Sequence, residues 1–325
     1  VERLRYTPCV IRAFDEAALE AAVERLRDGE LVAFPTETVY GLGARADRGE
    51  AVRRIYEAKG RPRENPSIVH LHDGRRALEL AAEVPATAEA LARAFWPGPL
   101  TLVLRAREGV LAPETLAFGA TVALRVPRHP VALALLEAVA SPVAAPSANR
   151  STAISPTTAQ HVEKSLGPST FILDGGPTGF GIESTIVELP DRHTIRVLRR
   201  GSIGVVDLEP FGRVVDGGDE LTREGERMVA PGRSRRHYAP RVRTRFLEPG
   251  ERPSEKVGVL LVGDALTFAE ARCERLPSDP IEYARGLYAC LHALEDSGVE
   301  EIALQPLPDS AEWAAVRDRL VRATG

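Results

Sequence analysis

The sequence is poor in the residues on which small stapled folds and metal sites rely. Its three cysteines, Cys9, Cys273 and Cys290, are scattered, and no Cys-x-x-Cys pair exists. This leaves no zinc or redox motif and points to a reducing compartment. A chain of 325 residues buries enough apolar surface to fold without staples, and its length suggests about two domains. No apolar run approaches the ~18 residues that a membrane span needs. The longest, Val131–Ala140 and Val257–Val262, read as buried helix and strand. The opening VERLRYTPCV holds no apolar signal region, so the expected location is cytoplasmic. Positive charge is not in excess: the net charge is −4, whereas a general nucleic-acid binder is usually basic, so any RNA contact must be local. Neither GxGxxG nor GxxxxGK[ST] occurs, which removes both standard phosphate loops. The seven histidines are too dispersed to suggest zinc. Lysine is scarce as well. Only Lys59, Lys164 and Lys256 stand among 42 basic residues, so a lysine inside a dense motif carries weight.

What is present alternates between helix and strand. Asp15 caps an amphipathic helix to about Asp28, with Gly29 as its stop. LVAFP (31–35) reads as a buried strand, followed by the turn-rich TETVYGLG. Helices are expected at 50–59, 86–95 and, opened by Pro130, at 130–139. Strands are expected at 67–71, 100–105, 121–126, 143–145, 171–174, 184–189 and 194–198. This interleaving predicts a mixed α/β sheet covered by helices, over residues 1–212. Residues 213–240, with Gly-Gly and mixed charges ending in RRHYAP, read as a linker. A smaller domain, 241–325, follows: a buried strand at VGVLLVG, a helix at 280–297, a strand at 301–304 and a final helix at 311–323. That pattern suggests a small parallel, Rossmann-like sheet.

Five segments carry polar side chains where a ligand can reach them. In PTETVYGLG, hydroxyls and a carboxylate precede two glycines that let backbone approach a ligand, although an ordinary strand-to-helix loop reads the same way. Lys59-Gly60-Arg61 sets two cations just past a helix, either as a phosphate pair or as a solvated C-terminus. Ser147 and Asn149 stand at the carboxyl end of a strand, where open α/β sheets bind ligands and where helix caps also occur. Asp174 to Thr185 places glycines and hydroxyls around a strand start, and Arg199 is a strand-end cation. In the fifth, Arg236-His237-Tyr238, an aromatic in a basic linker can stack on a base or end a spacer.

Together and in this order, PTETVYGLG, Lys-x-Arg, Ser-x-Asn, ESTI, the LR-x-G strand end and HYAP resemble the threonylcarbamoyl-AMP synthase family, in the long two-domain form of the YrdC-like proteins. The resemblance is most specific up to Gly201 and weakest in the small domain, where GVLLVG and EWAAVRDRL carry it. It implies a twisted mixed sheet with a positively charged concave face. It also implies a reaction in which L-threonine takes up carbon dioxide from bicarbonate, and the N-carboxylate attacks the α-phosphate of ATP, releasing pyrophosphate. The product serves threonylcarbamoyladenosine modification of tRNA. The implied threonine residues are Thr36, His70, Arg125, Ala145 and Ser184. The implied ATP residues are Lys59, Arg61, Thr121, Ser147, Asn149, Ser155, Arg199 and Tyr238, with Lys59 and Arg61 offsetting charge on the leaving group. Magnesium is expected with ATP, held by phosphates and water rather than by a protein cage. A transient contact with tRNA or with the transferase that consumes the product is implied as well.

The sequence departs from the family at Arg233, Ser234 and Arg235 in the linker, at Arg200 in place of a proline, and at Ala153-Ile154 in place of Arg-Pro. Three other readings compete. One is a carbamoyl-adenylate former using carbamoyl phosphate, whose usual zinc-finger-like cysteines are missing. Another is a non-catalytic RNA-binding module. The last is an α/β protein whose motifs are only turns and caps.

Overall fold

The computed structural model describes residues 10–218 and 236–325. The first region begins β1 (Val10–Ala13), α1 (Glu16–Arg27), β2 (Val32–Pro35), β3 (Tyr40–Arg45), α2 (Gly49–Lys59), β4 (Ile68–His70), α3 (Gly74–Leu78), α4 (Ala86–Phe95) and β5 (Leu100–Arg105). It continues β6 (Thr121–Arg125), α5 (Pro130–Val139), β7 (Val143–Ala144), α6 (Ala159–Leu166), β8 (Phe171–Asp174), β9 (Thr185–Glu188), β10 (Thr194–Arg199), α7 (Val205–Leu208) and β11 (Arg213–Asp216). The second region holds β12 (Arg243–Phe246), β13 (Val257–Val262), β14 (Arg272–Leu276), α8 (Pro280–Asp296), β15 (Glu301–Leu304) and α9 (Ala314–Thr324). Among the described residues no helix is long and apolar enough to cross a membrane.

Local chemistry sets the boundaries. Asp15 accepts the Ala18 N–H at 2.7 Å and so opens α1. α2 ends because Gly60 adopts the left-handed conformation at φ 60°, which turns the chain sharply after Lys59. Pro130 supplies the first turn of α5, where its missing N–H has no intrahelical partner to lose.

The first region forms one mixed sheet in the order β1-β8-β2-β3-β7-β4-β6-β5-β9-β10-β11, and the second a four-stranded sheet in the order β12-β15-β13-β14. All pairings in the small sheet are parallel, as the sequence suggested. Period-two alternation splits the large core. Val32 and Phe34 of β2 pack with α1 and α5, while Ala33 joins the cluster under α2, α4 and α6. The face that carries α1 and α5 continues onto β4 and β6 without a helix over it. There, β4 and β6 run parallel with His70 opposite Arg125.

Two expectations change. TETVYGLG is only half turn: its second part is β3, antiparallel to β2. Its glycines serve close packing. A Cβ on Gly43 would lie 2.8 Å from the Phe34 ring, and one on Gly41 3.2 Å from Ala145 Cβ. Nor is 213–240 wholly a linker, because β11 pairs in parallel with β10 and extends the large sheet to Asp216. Arg233, Ser234 and Arg235 lie outside the described residues.

The small domain's core reaches into the large one. Leu287, Tyr288, Leu291, Trp313, Val316 and Leu320 pack in one cluster with Val39, Ile154, Ile182 and Tyr238. Gly181, at φ 75°, lies against the backbone of α8, where an added Cβ would sit 2.4 Å from the Ala284 carbonyl oxygen. The junction is therefore a packed interface against the loops at one end of the large sheet, beside the starts of β3 and β9.

Candidate active site

A cavity of about 40 Å³ lies where that junction covers the open face of the large sheet. Ile68 and His70 of β4 and Arg125 of β6 form its floor. Thr36, Thr38 and Val39 enter from the β2–β3 turn, Ala145, Pro146 and Ser147 from the end of β7, and Arg61 and Arg199 from one flank. His237 and Tyr238 form its roof.

On the β4–β6 side charge is balanced within the protein. Arg125 donates from Nη2 to Glu37 Oε1 at 2.7 Å and from Nε to the Gly98 carbonyl at 3.3 Å. Both partners of the ion pair are buried, with side-chain exposures of 4% and 8%. Glu37 Oε2 accepts the Arg128 N–H at 3.0 Å, so each carboxylate oxygen has a donor. Burial, with Arg125 adding to it, pushes the His70 pKa down to about 3, so the ring is neutral around pH 7. Its Nδ1 is buried without a hydrogen-bond partner. Thr36 Oγ1 donates to the Val39 carbonyl at 2.7 Å and accepts the Thr38 and Val39 N–H groups at 3.2 and 3.3 Å, which shapes the turn.

On the α2 side the cations have carbonyl partners instead. Lys59 is 2% exposed, and its Nζ donates to the Ser147 carbonyl at 2.5 Å and to the Asn149 carbonyl. Arg61 donates from Nη2 to Asn65 Oδ1 at 2.6 Å and to the Pro66 carbonyl at 3.0 Å. Neither forms an ion pair with a carboxylate among the described residues. Burial, reinforced by Arg61, holds the Lys59 pKa well below the ordinary lysine value, and burial lowers that of Arg61 to about 10. Arg199 donates to the Ser184 carbonyl at 3.1 Å and to Ser184 Oγ at 3.0 Å. On this flank Lys59 and Arg61 are buried cations oriented by carbonyls and one amide, with no carboxylate bonded to either among the described residues.

The roof is Tyr238, 1% exposed and in the left-handed backbone region at φ 58°, a conformation costing a bulky residue about 1–3 kcal/mol. Its ring lies 5.9 Å from that of Tyr288 and 4.1 Å from that of His237. Its hydroxyl, like His237 Nδ1, is buried without a hydrogen-bond partner. Buried polar atoms are normally paired, so three such atoms around one cavity mark a place built to receive polar groups.

Of the residues named from the sequence, Thr36, Arg61, His70, Arg125, Ala145, Ser147, Arg199 and Tyr238 line the cavity. Lys59, Asn149, Ser155 and Ser184 stand directly behind its wall. Asn149 Nδ2 fixes the Ala153 carbonyl at 2.8 Å, Ser155 Oγ donates to Glu183 at 2.5 Å, and Ser184 Oγ bonds Thr101 Oγ1 at 2.8 Å. Thr121 is not brought there: it is exposed, at the far end of β6 from Arg125, about 13 Å along the strand. The sequence reading assigned no role to Glu37 or Glu183. A carboxylate between two threonines just past a strand end is the available signal for Glu37. Burial would raise the Glu183 pKa, yet Arg319, Arg199 and the Ser155 hydroxyl together hold it below the ordinary value. Arg319 comes from the small domain, inside EWAAVRDRL, where the sequence pattern points to no partner in the large domain.

Comparison with known proteins matches this geometry to relatives over the whole chain. A family model described as telomere recombination, covering the Sua5, YciO and YrdC proteins, matches residues 24–201. The model of the threonylcarbamoyl-AMP synthase C-terminal domain matches residues 203–325. The chain is 37% identical over 328 residues to the threonylcarbamoyl-AMP synthase of Bacillus subtilis (strain 168), covering 96% of this chain and 94% of that protein. It is 39% identical over 329 residues to that of Pyrococcus abyssi (strain GE5 / Orsay), covering 96% and 95%. The crystal structure of P. abyssi Sua5 complexed with L-threonine superposes with a TM-score of 0.88, at 36% identity and 98% coverage of both chains. The chain therefore belongs to the threonylcarbamoyl-AMP synthase family.

Proposed function

We propose that the protein makes L-threonylcarbamoyladenylate from L-threonine, bicarbonate and ATP, releasing pyrophosphate, and so acts as a nucleotidyltransferase. The observation that carries this reading is the unequal pair of cavity walls. A neutralised wall at Arg125, Glu37 and His70 suits a small zwitterion. A wall with Lys59 and Arg61 lacking carboxylates suits a polyanion. The relative that superposes at full length holds L-threonine.

In this reading the Arg125 guanidinium, its plane fixed by Glu37, meets the threonine carboxylate, and His70 Nδ1 and the turn at Thr36 supply polar contacts to the rest of the amino acid. The amine and bicarbonate give an N-carboxylate and water. The N-carboxylate oxygen bonds to the α-phosphorus as the bond to the β-phosphate oxygen breaks. Lys59, Arg61 and Arg199 stabilise negative charge as it moves onto pyrophosphate, so catalysis is positioning and preorganised charge with no protein nucleophile. Glu183 of the cavity lining is taken by Arg319 and Glu37 is taken by Arg125, and no cluster of three metal-ligating side chains forms among the described residues. That donor set fits magnesium carried by ATP oxygens and water, where it would screen the phosphates. Tyr238 and His237 occupy the roof, and about 40 Å³ beneath them is far less than a nucleotide needs, so the roof lifts to admit ATP and closes to exclude water from the labile adenylate.

Incubation with ATP, magnesium, bicarbonate and each amino acid in turn, following pyrophosphate, tests the reading. Release is expected only when threonine and bicarbonate are present together. Release driven by carbamoyl phosphate without threonine would establish the related carbamoyl-adenylate activity instead.

A further inference from the structure

Arg319 belongs to α9 of the small domain, yet its side chain has no exposed surface and it contacts two residues that line the cavity, Glu183 and Tyr238. Its Nε donates to Glu183 Oε2 at 2.9 Å, and its Nη2 to the Arg200 carbonyl at 2.8 Å. Its Cζ lies 4.9 Å from the centre of the Tyr238 ring. Glu183 in turn accepts from Ser155 Oγ at 2.5 Å and from the Tyr288 hydroxyl at 3.0 Å. One turn further along α9, Arg322 donates from Nη2 to the Gly218 carbonyl at 3.0 Å, and its own carbonyl accepts the His237 N–H at 3.0 Å. Asp318 bonds both arginines at 2.8 Å and fixes their spacing. A single helical turn thus holds the chain where it leaves the large sheet, where it returns at His237, and the carboxylate behind Ser155.

We propose that this turn of α9 is a clasp through which the small domain sets the position of the cavity roof, with Arg319 as a positioning residue for the nucleotide half of the site. The inference rests on the adenylation reading for its kinetic consequences, but not for its structural one. Tyr238 in its closed place leaves no room for a nucleotide and carries an unfavourable φ. The guanidinium on its ring and the Arg322–His237 bond offset that cost. ATP must therefore bind against the clasp, and the clasp must re-form over the adenylate. Loosening it raises the open fraction, which lowers the apparent KM for ATP, and lets water reach the adenylate, which raises its hydrolysis to AMP.

The test uses the full-length Arg319→Met/Glu183→Gln double variant, in which both buried charges are removed together and no carboxylate is left unpaired. Arg319→Lys is the second variant, keeping the charge without the forked donor geometry. Hydrogen exchange of the peptide spanning 236–243 is read first, in protein alone. Exchange at His237 and Ala239 at least tenfold faster than in the native protein is expected. Next, the KM for ATP should fall by about threefold to tenfold while the KM for threonine stays within twofold, and AMP formed per pyrophosphate released should rise. Unchanged exchange in a folded variant overturns the clasp, whatever the reaction proves to be. Faster exchange with KM values for ATP and threonine moving in step shows a general loosening and also overturns it. If the double variant does not fold, the same readings on Arg319→Lys decide.

Discussion

The two walls of the cavity hold their cations in opposite ways. Arg125 lies in a closed ion pair with Glu37, whose second oxygen is also bonded. Lys59 and Arg61, equally buried, lean on backbone carbonyls and one amide. A carbonyl orients a cation but does not neutralise it, so the α2 wall keeps its field for a ligand. The lesson is that the ion pairs, rather than the count of basic residues, distinguish the wall assigned to phosphate in the proposed reading.

The largest effect expected from breaking this contrast is at the unneutralised wall. Lys59→Ala and Arg61→Ala should each cut pyrophosphate release by about a hundredfold or more, the scale of losing a preorganised charge contact, with circular dichroism unchanged. Threonine affinity by calorimetry should stay within twofold. Near-native turnover in both variants would sink the phosphate assignment.

At the neutralised wall, Arg125→Ala should weaken threonine binding by about 2–5 kcal/mol and ATP binding much less. Ser184→Ala sharpens the comparison. The family resemblance groups Ser184 with threonine, but its hydroxyl accepts from Arg199 and bonds Thr101, so both ligands should weaken by similar factors. Calorimetry with each ligand separates the two patterns, and a threonine-only loss for Ser184→Ala would place it back on the threonine wall.

The roof and floor histidines contribute to acid sensitivity. The pKa values of His70 and His237 fall from 6.5 to about 3 through burial, so both stay neutral in the folded protein while the unfolded chain protonates them. Their contribution is complete above pH 6.5 and is lost as pH falls toward 3, about 2 kcal/mol for each at pH 5. Urea unfolding at pH 7 and pH 5 should show this drop, and His237→Asn should reduce it by one histidine's share. An identical drop in the variant would remove His237 from the account.

The smallest effect is protonic. Burial, with Arg61 beside it, depresses the Lys59 pKa, and bound phosphate reverses that shift, so nucleotide binding should take up a fraction of a proton above the unliganded pKa. Calorimetry in two buffers of different ionisation enthalpy measures the uptake, which should vanish in Lys59→Ala. The same uptake in that variant would assign it to another group.

Much of this was legible in the sequence, because helix periodicity, caps and the order of the motifs are local properties. The helices at 86–95 and 130–139 and the strands at 100–105 and 301–304 fall where their patterns put them. β3 carries the signature of a turn in sequence because its glycines have no strand pattern of their own. Their reason, the Phe34 ring and Ala145, comes from elsewhere in the chain. β11 resembles linker in sequence because a short, exposed edge strand needs little apolar patterning to pair with β10.

By itself, then, the sequence determined the mixed sheet, the small parallel domain and the segments that gather at the cavity, since these follow from short-range periodicity and chain chemistry. Only the tertiary structure decided which charges meet. Glu37 and Arg125 are 88 residues apart and Glu183 and Arg319 136 apart, while Thr121, four residues before Arg125, is left outside. Pairing over such separations is fixed by strand order and by the docking of α9, and no local pattern records either.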